Sequence, residues 1–384
     1  MIEAESFVET ARKAGLYRYT GVPCSFLTPF INYVINDETL SYVSSANEGD
    51  AVATAAGSVI GGKGAVAMMQ NSGLGNAVSP ITSLTYVFKI PLLLITTHRG
   101  APGLKDEPQH ALMGRITGEL FETMEVPWEY FPAEESEIAP ALDKAVEYMQ
   151  KHERPYAFIM RKGTVAPHEL RRDPITRKEP ATPVMEYTFS HDNRLPSRSE
   201  ALKKIIDNTP LDKTVVLATT GYTGRELYAL QDRSNQLYMV GSMGCISSLG
   251  LGLALARPDL TVVVIDGDGA ALMRMGNFAT LGSYAGNNLI HILLDNGVHD
   301  STGAQATVST NVNFSAIASA CGYAVAYQGE DINLIDRLFD TSCDNGPRFA
   351  HIRIRPGTID KLPRPDVSPA EVVRRLMNQI GSSF

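Results

Sequence analysis

The sequence predicts an α/β protein of two domains, each a mostly parallel sheet with helices on both faces. Three observations lead there. The chain has 384 residues, too many for one ordinary domain and enough for two of roughly 150–200 residues each. Short apolar runs alternate with helical patterns in both halves, as in sheets covered on both sides. A stretch over 161–199, rich in Pro, Arg, Lys and Asp and without sustained period, separates the two alternating regions.

In the first half, strands are expected at 64–70, 91–96 and 157–161, with Tyr42-Val43-Ser44 as another extended segment. Helices fit 48–60, 76–88 and 137–151. The intervening stretch reads as a linker. Arg171, Arg172, Arg177 and Lys178 could gather an anion there, but interspersed acids favour a solvated connector. The second half repeats the rhythm, with strands at 214–219, 237–240, 260–266, 289–294, 323–327 and 349–353. Helices fit 224–231, 247–256, 270–285, 314–322, 332–339 and 369–380.

Composition narrows the function classes. Hydrophobic residues make up 44% and charged residues 20%, as in a soluble globular protein. A net charge of −8 argues weakly against nucleic acid as a partner, which requires a concentrated basic surface. The four cysteines, Cys24, Cys245, Cys321 and Cys343, are scattered and form no CxxC pair, as free thiols in a reducing compartment would. The N-terminal MIEAESFVETARKAG is an amphipathic helix carrying acids, unlike a secretory or transit peptide. No uninterrupted apolar run reaches the ~18–20 residues that span a bilayer. The expectation is a soluble, cytosolic protein with no membrane or nucleic-acid partner.

The most informative stretch is TVVVIDGDGAALMRMGNFATLGSYAGNNLIHILLDNGVHDS. An apolar strand runs into Gly267-Asp268-Gly269 and a helix follows directly. Flanking glycines let the backbone approach a phosphate, and the helix start offers unpaired N–H groups with a favourable dipole. Asp268 can supply a hard oxygen ligand to Mg²⁺. A second strand ends in Asp295-Asn296-Gly297, and consecutive parallel strands bring such ends side by side. Asp268, Asn296 and a nearby carbonyl, that of Val298, are few protein ligands. Mg²⁺ accepts such a set, filling its other positions with diphosphate oxygens and water. A lone GDG would be only a tight turn; two strand ends at this spacing argue for a shared site.

These paired motifs resemble the cofactor signature of the thiamine-diphosphate-dependent enzymes. The resemblance implies that Asp268, Asn296 and the Val298 carbonyl bind the metal, and that Gly267, Gly269 and Ala270 line the diphosphate. VGSMGCISSLGLGLA resembles the family segment meeting the aminopyrimidine, with Ser242 beside it and Met243 as the large apolar residue that bends the cofactor. TTGYTGREL resembles the loop that also approaches the diphosphate, through Thr220, Gly221 and Tyr222. The implied organisation is a pyrimidine-binding domain over 1–165, a linker over 166–195 and a diphosphate-binding domain over 196–384.

Thiamine chemistry also requires a carboxylate facing the aminopyrimidine, to favour the tautomer that removes the thiazolium proton. Ser45-Ala46-Asn47-Glu48-Gly49-Asp50-Ala51 follows a strand and opens an Ala-rich helix. By the family's pattern Glu48 is the activating acid. Read alone, Glu48 would be an acid stabilised by the helix dipole, and Asp50 is its local competitor. In the family this acid and the metal site come from different subunits, so the implied active unit is a homodimer or a higher homo-oligomer.

Two polar strand-end segments of the first domain bear on the substrate: GVPCSFL from Gly21, and the run from Thr96 to His110. Ligands of open α/β sheets bind beyond the carboxyl ends of strands. Arg99, Lys105 and His110 suit a substrate with a carboxylate and a second strong anion. The structural alternatives are an Arg99 paired with a carboxylate and a surface charge cluster at Lys105-Asp106-Glu107. Together with LLDNGVHDSTGAQ, these segments resemble the family's branch that decarboxylates phosphonopyruvate and its counterpart sulfopyruvate. That implies Ser25, Arg99, Lys105 and His110 as substrate ligands. Cys24 departs from the branch's pattern, in which an Asp is expected. The single chain favours the phosphonate, because many sulfopyruvate enzymes divide the two domains between chains.

The implied reaction converts 3-phosphonopyruvate to phosphonoacetaldehyde and CO₂ through a thiamine ylide and enamine, in phosphonate biosynthesis. His110, His299 and Asp300 are candidates for proton handling, or the histidines donate hydrogen bonds to the phosphonate. The alternatives, in order, are a sulfopyruvate decarboxylase or a carboligase, a non-catalytic protein keeping the fold, and a nucleotide-binding Rossmann enzyme. Glu48, Asp268 and Asn296 count against the second, and the missing GxGxxG after the first strand against the third.

Overall fold

The computed structural model describes residues 1–172, 194–343 and 345–384, with the backbone of Met185–Thr188. Arg177 and Lys178 lie outside the described residues. The chain divides into two compact units, Met1–Thr176 and Arg177–Ser383.

The first unit is built on strands β1 (Leu16–Gly21), β2 (Ser41–Ser44), β3 (Gly64–Met69), β4 (Leu93–Thr97), β5 (Trp128–Tyr130) and β6 (Tyr156–Met160). They pair in the order β2-β1-β3-β4-β6-β5, all parallel. Every side chain of β4 and β6 is buried, which explains why these strands read as continuous apolar runs. One face is filled by Phe7, Phe30, Phe131 and Phe158, with the Phe7 and Phe131 ring centroids 4.4 Å apart. In the helix Glu48–Ile60 every residue but Glu48 is buried, a pattern made possible by its many alanines and glycines. The single helix expected at 76–88 is instead a helix over Leu74–Pro80, a π turn over Ile81–Thr85 and a last turn over Tyr86–Phe88. Pro80 lacks the N–H that would continue the α-helical ladder, and the wider turn begins at the next residue.

The second unit contains β7 (Met185–Thr188), β8 (Thr214–Ala218), β9 (Gln236–Tyr238), β10 (Thr261–Gly267) and β11 (Leu289–Asp295). A short hairpin, β12 (Val298–His299) with β13 (Gln305–Ala306), precedes β14 (Val325–Gly329) and β15 (Arg348–Arg353). Among the described residues the main sheet runs β7-β14-β15-β11-β10-β8-β9, again all parallel. Inside the sheet, between β11 and β8, lies β10, where Val262, Val263, Val264 and Ile265 are wholly buried. At roughly 1.5–3 kcal/mol for each such side chain, this strand anchors the motif that follows it. β7 lies in the segment the sequence reading assigned no structure, at the sheet's edge, where pairing rather than composition makes the strand. The helix expected over 270–285 is two, Asp268–Met273 and Asn277–Tyr284, parted by a turn that ends at Gly276. No helix of the described residues is long and apolar enough to cross a membrane.

Both sheets place a topological switch point at their working end. In the first, the chain leaves β1 for β2 on one side and returns to β3 on the other. In the second, it leaves β8 for β9 and returns to β10. Open α/β sheets bind ligands outside the carboxyl ends of strands at such crevices.

Candidate active site

In the second unit one pocket opens at the switch point. Its lining includes Thr220, Gly221 and Tyr222 from the β8 end, Gly267, Asp268, Gly269 and Ala270 from the β10 end, and Asn296, Val298, His299 and Asp300 after β11. Met243 lines it too, while Ser242, at φ +48°, is buried beside it. Gly221 has φ 91° and ψ −145° at the start of the helix Tyr222–Leu230, a backbone only glycine adopts without strain. Parallel register pairs Gly267 with Leu294, so Asp268 and Asn296 leave adjacent strands one residue further on and two residues further on. The pocket thus brings together the residues named for this half, apart from Ser242.

Asp268 is 3% exposed. It accepts a hydrogen bond from the Thr307 hydroxyl. Burial pushes its carboxyl above the usual range, against the pull of Thr307; a divalent cation would oppose that and hold it ionised. Behind it, Thr307 contacts the Ser309 hydroxyl at 3.0 Å, Ser309 donates to Asp295 Oδ1 at 2.9 Å, and Asp295 Oδ2 lies 2.9 Å from His351 Nε2. Burial raises the Asp295 carboxyl, but His351, Ser309 and the Gly297 N–H outweigh it and bring it below the ordinary value.

Asn296 Nδ2 donates to Asp300 Oδ2 at 2.6 Å, and the Val298 N–H lies 3.3 Å from Asn296 Oδ1. Asp300 also accepts from Arg198 at 2.7 Å and from the Gly357 N–H. Arg198, 5% exposed, donates on its other side to Glu226 Oε1 at 2.8 Å. The sequence reading missed this arginine, although Ser197 and Glu200 form the capping box that marks its helix. A cation at the first position of a helix opposes the dipole, a sign of a specific tertiary partner. Arg198→Met would leave the buried Glu226 and the half-buried Asp300 without their cation; we expect a loss of about 3–5 kcal/mol, measured by urea denaturation.

The His299 ring lies over Gly269, where an added Cβ would come within 2.5 Å of His299 Cε1 and 3.1 Å of Met243 Cε. Gly269→Ala is therefore expected to displace that ring at a cost of about 1–3 kcal/mol. Turnover should fall by about 10²-fold, as misplacement by an ångström predicts. Thermal denaturation and rate measured on the same sample check both.

In the first unit the chemistry gathers beyond β2, β1, β3 and β4. Glu48 starts its helix after Asn47, whose side chain caps the Gly49 N–H at 2.8 Å. Glu48 Oε2 accepts from Asn76 Nδ2 at 2.8 Å, and its carboxylate lies against Gly73, where an added Cβ would meet Oε1 at 2.2 Å. Asp50, its local competitor, is 1% exposed, turned into the fold.

Arg99 forms a two-pronged pair with Asp106, Nε to Oδ2 at 2.6 Å and a second bond to Oδ1. The guanidinium and the neighbouring N–H groups hold the Asp106 carboxyl well below the usual range. One Arg99 nitrogen remains directed at Ser25 Oγ, 3.3 Å away. Its backbone is fixed by Asn71, fully buried after β3, whose Nδ2 donates to the Arg99 carbonyl at 2.9 Å. Cys24 Sγ lies 3.3 Å from Gln70 Oε1, so its thiol points across the β1–β3 crevice. His110 is buried with Nδ1 unpartnered. Lys105 is exposed, outside this cluster of contacts. The structural alternative for Arg99, pairing with a carboxylate, and its approach to Ser25 thus hold together.

The second-unit pocket suits a diphosphate with a small hard cation. Thr219 Oγ1 is buried without a partner at the β8 end, and two helix starts face the pocket. Among the described residues no three His, Cys, Asp or Glu side chains converge as metal ligands. The donors are one carboxylate, one amide and a carbonyl, which fits Mg²⁺ completed by phosphate oxygens and not a transition metal.

Fold and pocket together point to the class of enzymes that bind thiamine diphosphate. Family models agree: the thiamine pyrophosphate enzyme N-terminal TPP binding domain matches residues 1–120, and the C-terminal TPP binding domain matches 220–352. The chain is 45% identical to phosphonopyruvate decarboxylase of Streptomyces viridochromogenes, covering 98% of this chain and 94% of the relative. It is 43% identical to that of Streptomyces hygroscopicus, over 98% and 93%. Sulfopyruvate decarboxylase of Methanosarcina acetivorans is 28% identical, over 97% and 96%. Thiamine diphosphate-dependent 4-hydroxybenzoylformate decarboxylase of Rhodococcus jostii RHA1 shares the fold, with a TM-score of 0.70 at 13% identity, over 93% of this chain and 100% of that one. The chain belongs to the thiamine pyrophosphate enzymes and, within them, to the phosphonopyruvate decarboxylase family.

Proposed function

We propose that the protein decarboxylates 3-phosphonopyruvate to phosphonoacetaldehyde and CO₂ with thiamine diphosphate and Mg²⁺, in the cytoplasm, as a homodimer or higher homo-oligomer serving phosphonate biosynthesis. The observation that carries the substrate is chain-long similarity, markedly greater to phosphonopyruvate decarboxylases than to a sulfopyruvate decarboxylase of the same extent.

Asp268, Asn296 and the Val298 carbonyl would hold Mg²⁺. Gly267, Gly269, Ala270, Thr220, Gly221 and Tyr222 would line the diphosphate through backbone N–H groups, and Ser242 and Met243 would shape the space beside it. When bound, thiamine diphosphate supplies an electron sink for the pair released as CO₂ leaves. Glu48, fixed by Asn76, would hold the proton at the cofactor's aminopyrimidine; it would reach the site from the partner protomer. Ser25 and the free side of Arg99 would orient the substrate carboxylate or phosphonate, with Lys105 adding positive charge at the rim. His110 and His299 would then move or share the proton that completes the aldehyde. Asp300, held on both oxygens, is better placed to position than to carry a proton.

The carboligase reading differs in product. Aldehyde equal to CO₂ throughout turnover, with no acyloin by NMR, would support decarboxylation; accumulating acyloin would overturn it.

A further inference from the structure

At the pocket wall, Arg198 and Asp300, with Glu226 buried behind them, form a chain that ends on a single side-chain amide. An amide has two faces, and only its oxygen can bind a cation. Asn296 turns its NH₂ to Asp300, donating from Nδ2 to Oδ2 at 2.6 Å, which leaves the amide oxygen facing the other way. The Val298 N–H, at 3.3 Å, independently meets the opposite atom as an oxygen. Asp300 is itself held by Arg198 at 2.7 Å and by the Gly357 N–H, and Arg198 by Glu226 at 2.8 Å. Arg198 and Glu226 are 5% and 1% exposed, so the chain is packed against movement.

We infer that Arg198 and Asp300 are positioning residues that lock the Asn296 amide with its oxygen presented to the cation. The inference rests on the reading of Asn296 as a metal ligand. Partners behind a metal ligand typically change affinity by about 10–100-fold. Asparagine at position 300 can still place an oxygen where Asn296 and Arg198 both donate, but it cannot carry a proton as a carboxyl does. Alanine can do neither.

The test is Mg²⁺ retention by the purified protein, dialysed against graded chelator at fixed thiamine diphosphate, with rates followed over a Mg²⁺ series and folding checked by circular dichroism. Asp300→Ala should weaken Mg²⁺ by about 10–100-fold, and raise the Mg²⁺ needed for half-maximal rate by a larger factor than kcat falls. Asp300→Asn should restore most of that loss. Wild-type retention in Asp300→Ala, or an asparagine variant no better than alanine, overturns the inference. Asn296→Ala, run alongside, separates the two levels. Loss of Mg²⁺ there without loss in Asp300→Ala defeats only the lock; retention in both defeats the ligand assignment as well.

Discussion

Glu48→Gln is expected to lower kcat by roughly 10²–10⁴-fold, the range of a lost acid–base group. Binding of thiamine diphosphate and Mg²⁺ should change little, because both are assigned to residues of the other unit. The substitution keeps shape and length. Asn47 still caps the helix through the Gly49 N–H, and the rest of the helix stays buried in the same packing. Asn76 can still donate to the amide oxygen that replaces Oε2. What is lost is the charge that holds a proton at the aminopyrimidine. A variant with unaltered kcat would remove Glu48 from the mechanism, whereas one that no longer binds the cofactor would make it structural.

Asp268→Asn is expected to do the reverse: it should weaken joint binding of Mg²⁺ and thiamine diphosphate by at least about 10–100-fold and make the metal-free protein more stable near neutral pH. Burial raises the Asp268 carboxyl in the folded state. The folded chain therefore holds that proton to higher pH than the unfolded chain does. Stability from this group is present at low pH and declines as pH rises from the ordinary carboxylate value, about 4, through the raised one. Asparagine removes that cost and can still accept from Thr307. Thermal denaturation with and without Mg²⁺ and cofactor checks both halves. Wild type should gain strongly from the additions and the variant little.

Much of this was legible in the chain. The wholly buried β11 and the buried middle of β10 read as strands because both faces are covered, and their turns carried Asp268 and Asn296 to adjacent ends. The helix Glu48–Ile60 was evident to the residue, since its small side chains leave no competing period. The helix Ala111–Thr123 was not foreseen. It contains Gly114, poor for helix formation, required because a Cβ there would lie 1.8 Å from the Gly100 carbonyl oxygen. Only the end of β1, at Gly21, was expected; its span was not, because LYRYTG mixes polar and apolar residues, and pairing with β2 and β3 makes it a strand. Asn71, Thr307 and Arg198 were invisible for a different reason. Each acts on a residue far away in the sequence, by hydrogen bonds that no local pattern records.

The most direct test of the central claim is CO₂ release by purified protein with Mg²⁺ and thiamine diphosphate, offered phosphonopyruvate, sulfopyruvate and pyruvate separately. A clear preference for phosphonopyruvate, abolished by Glu48→Gln, is expected. Preference for sulfopyruvate would leave the cofactor site standing and contradict the substrate reading. No release from any of the three, with no cofactor retained, would contradict the account as a whole.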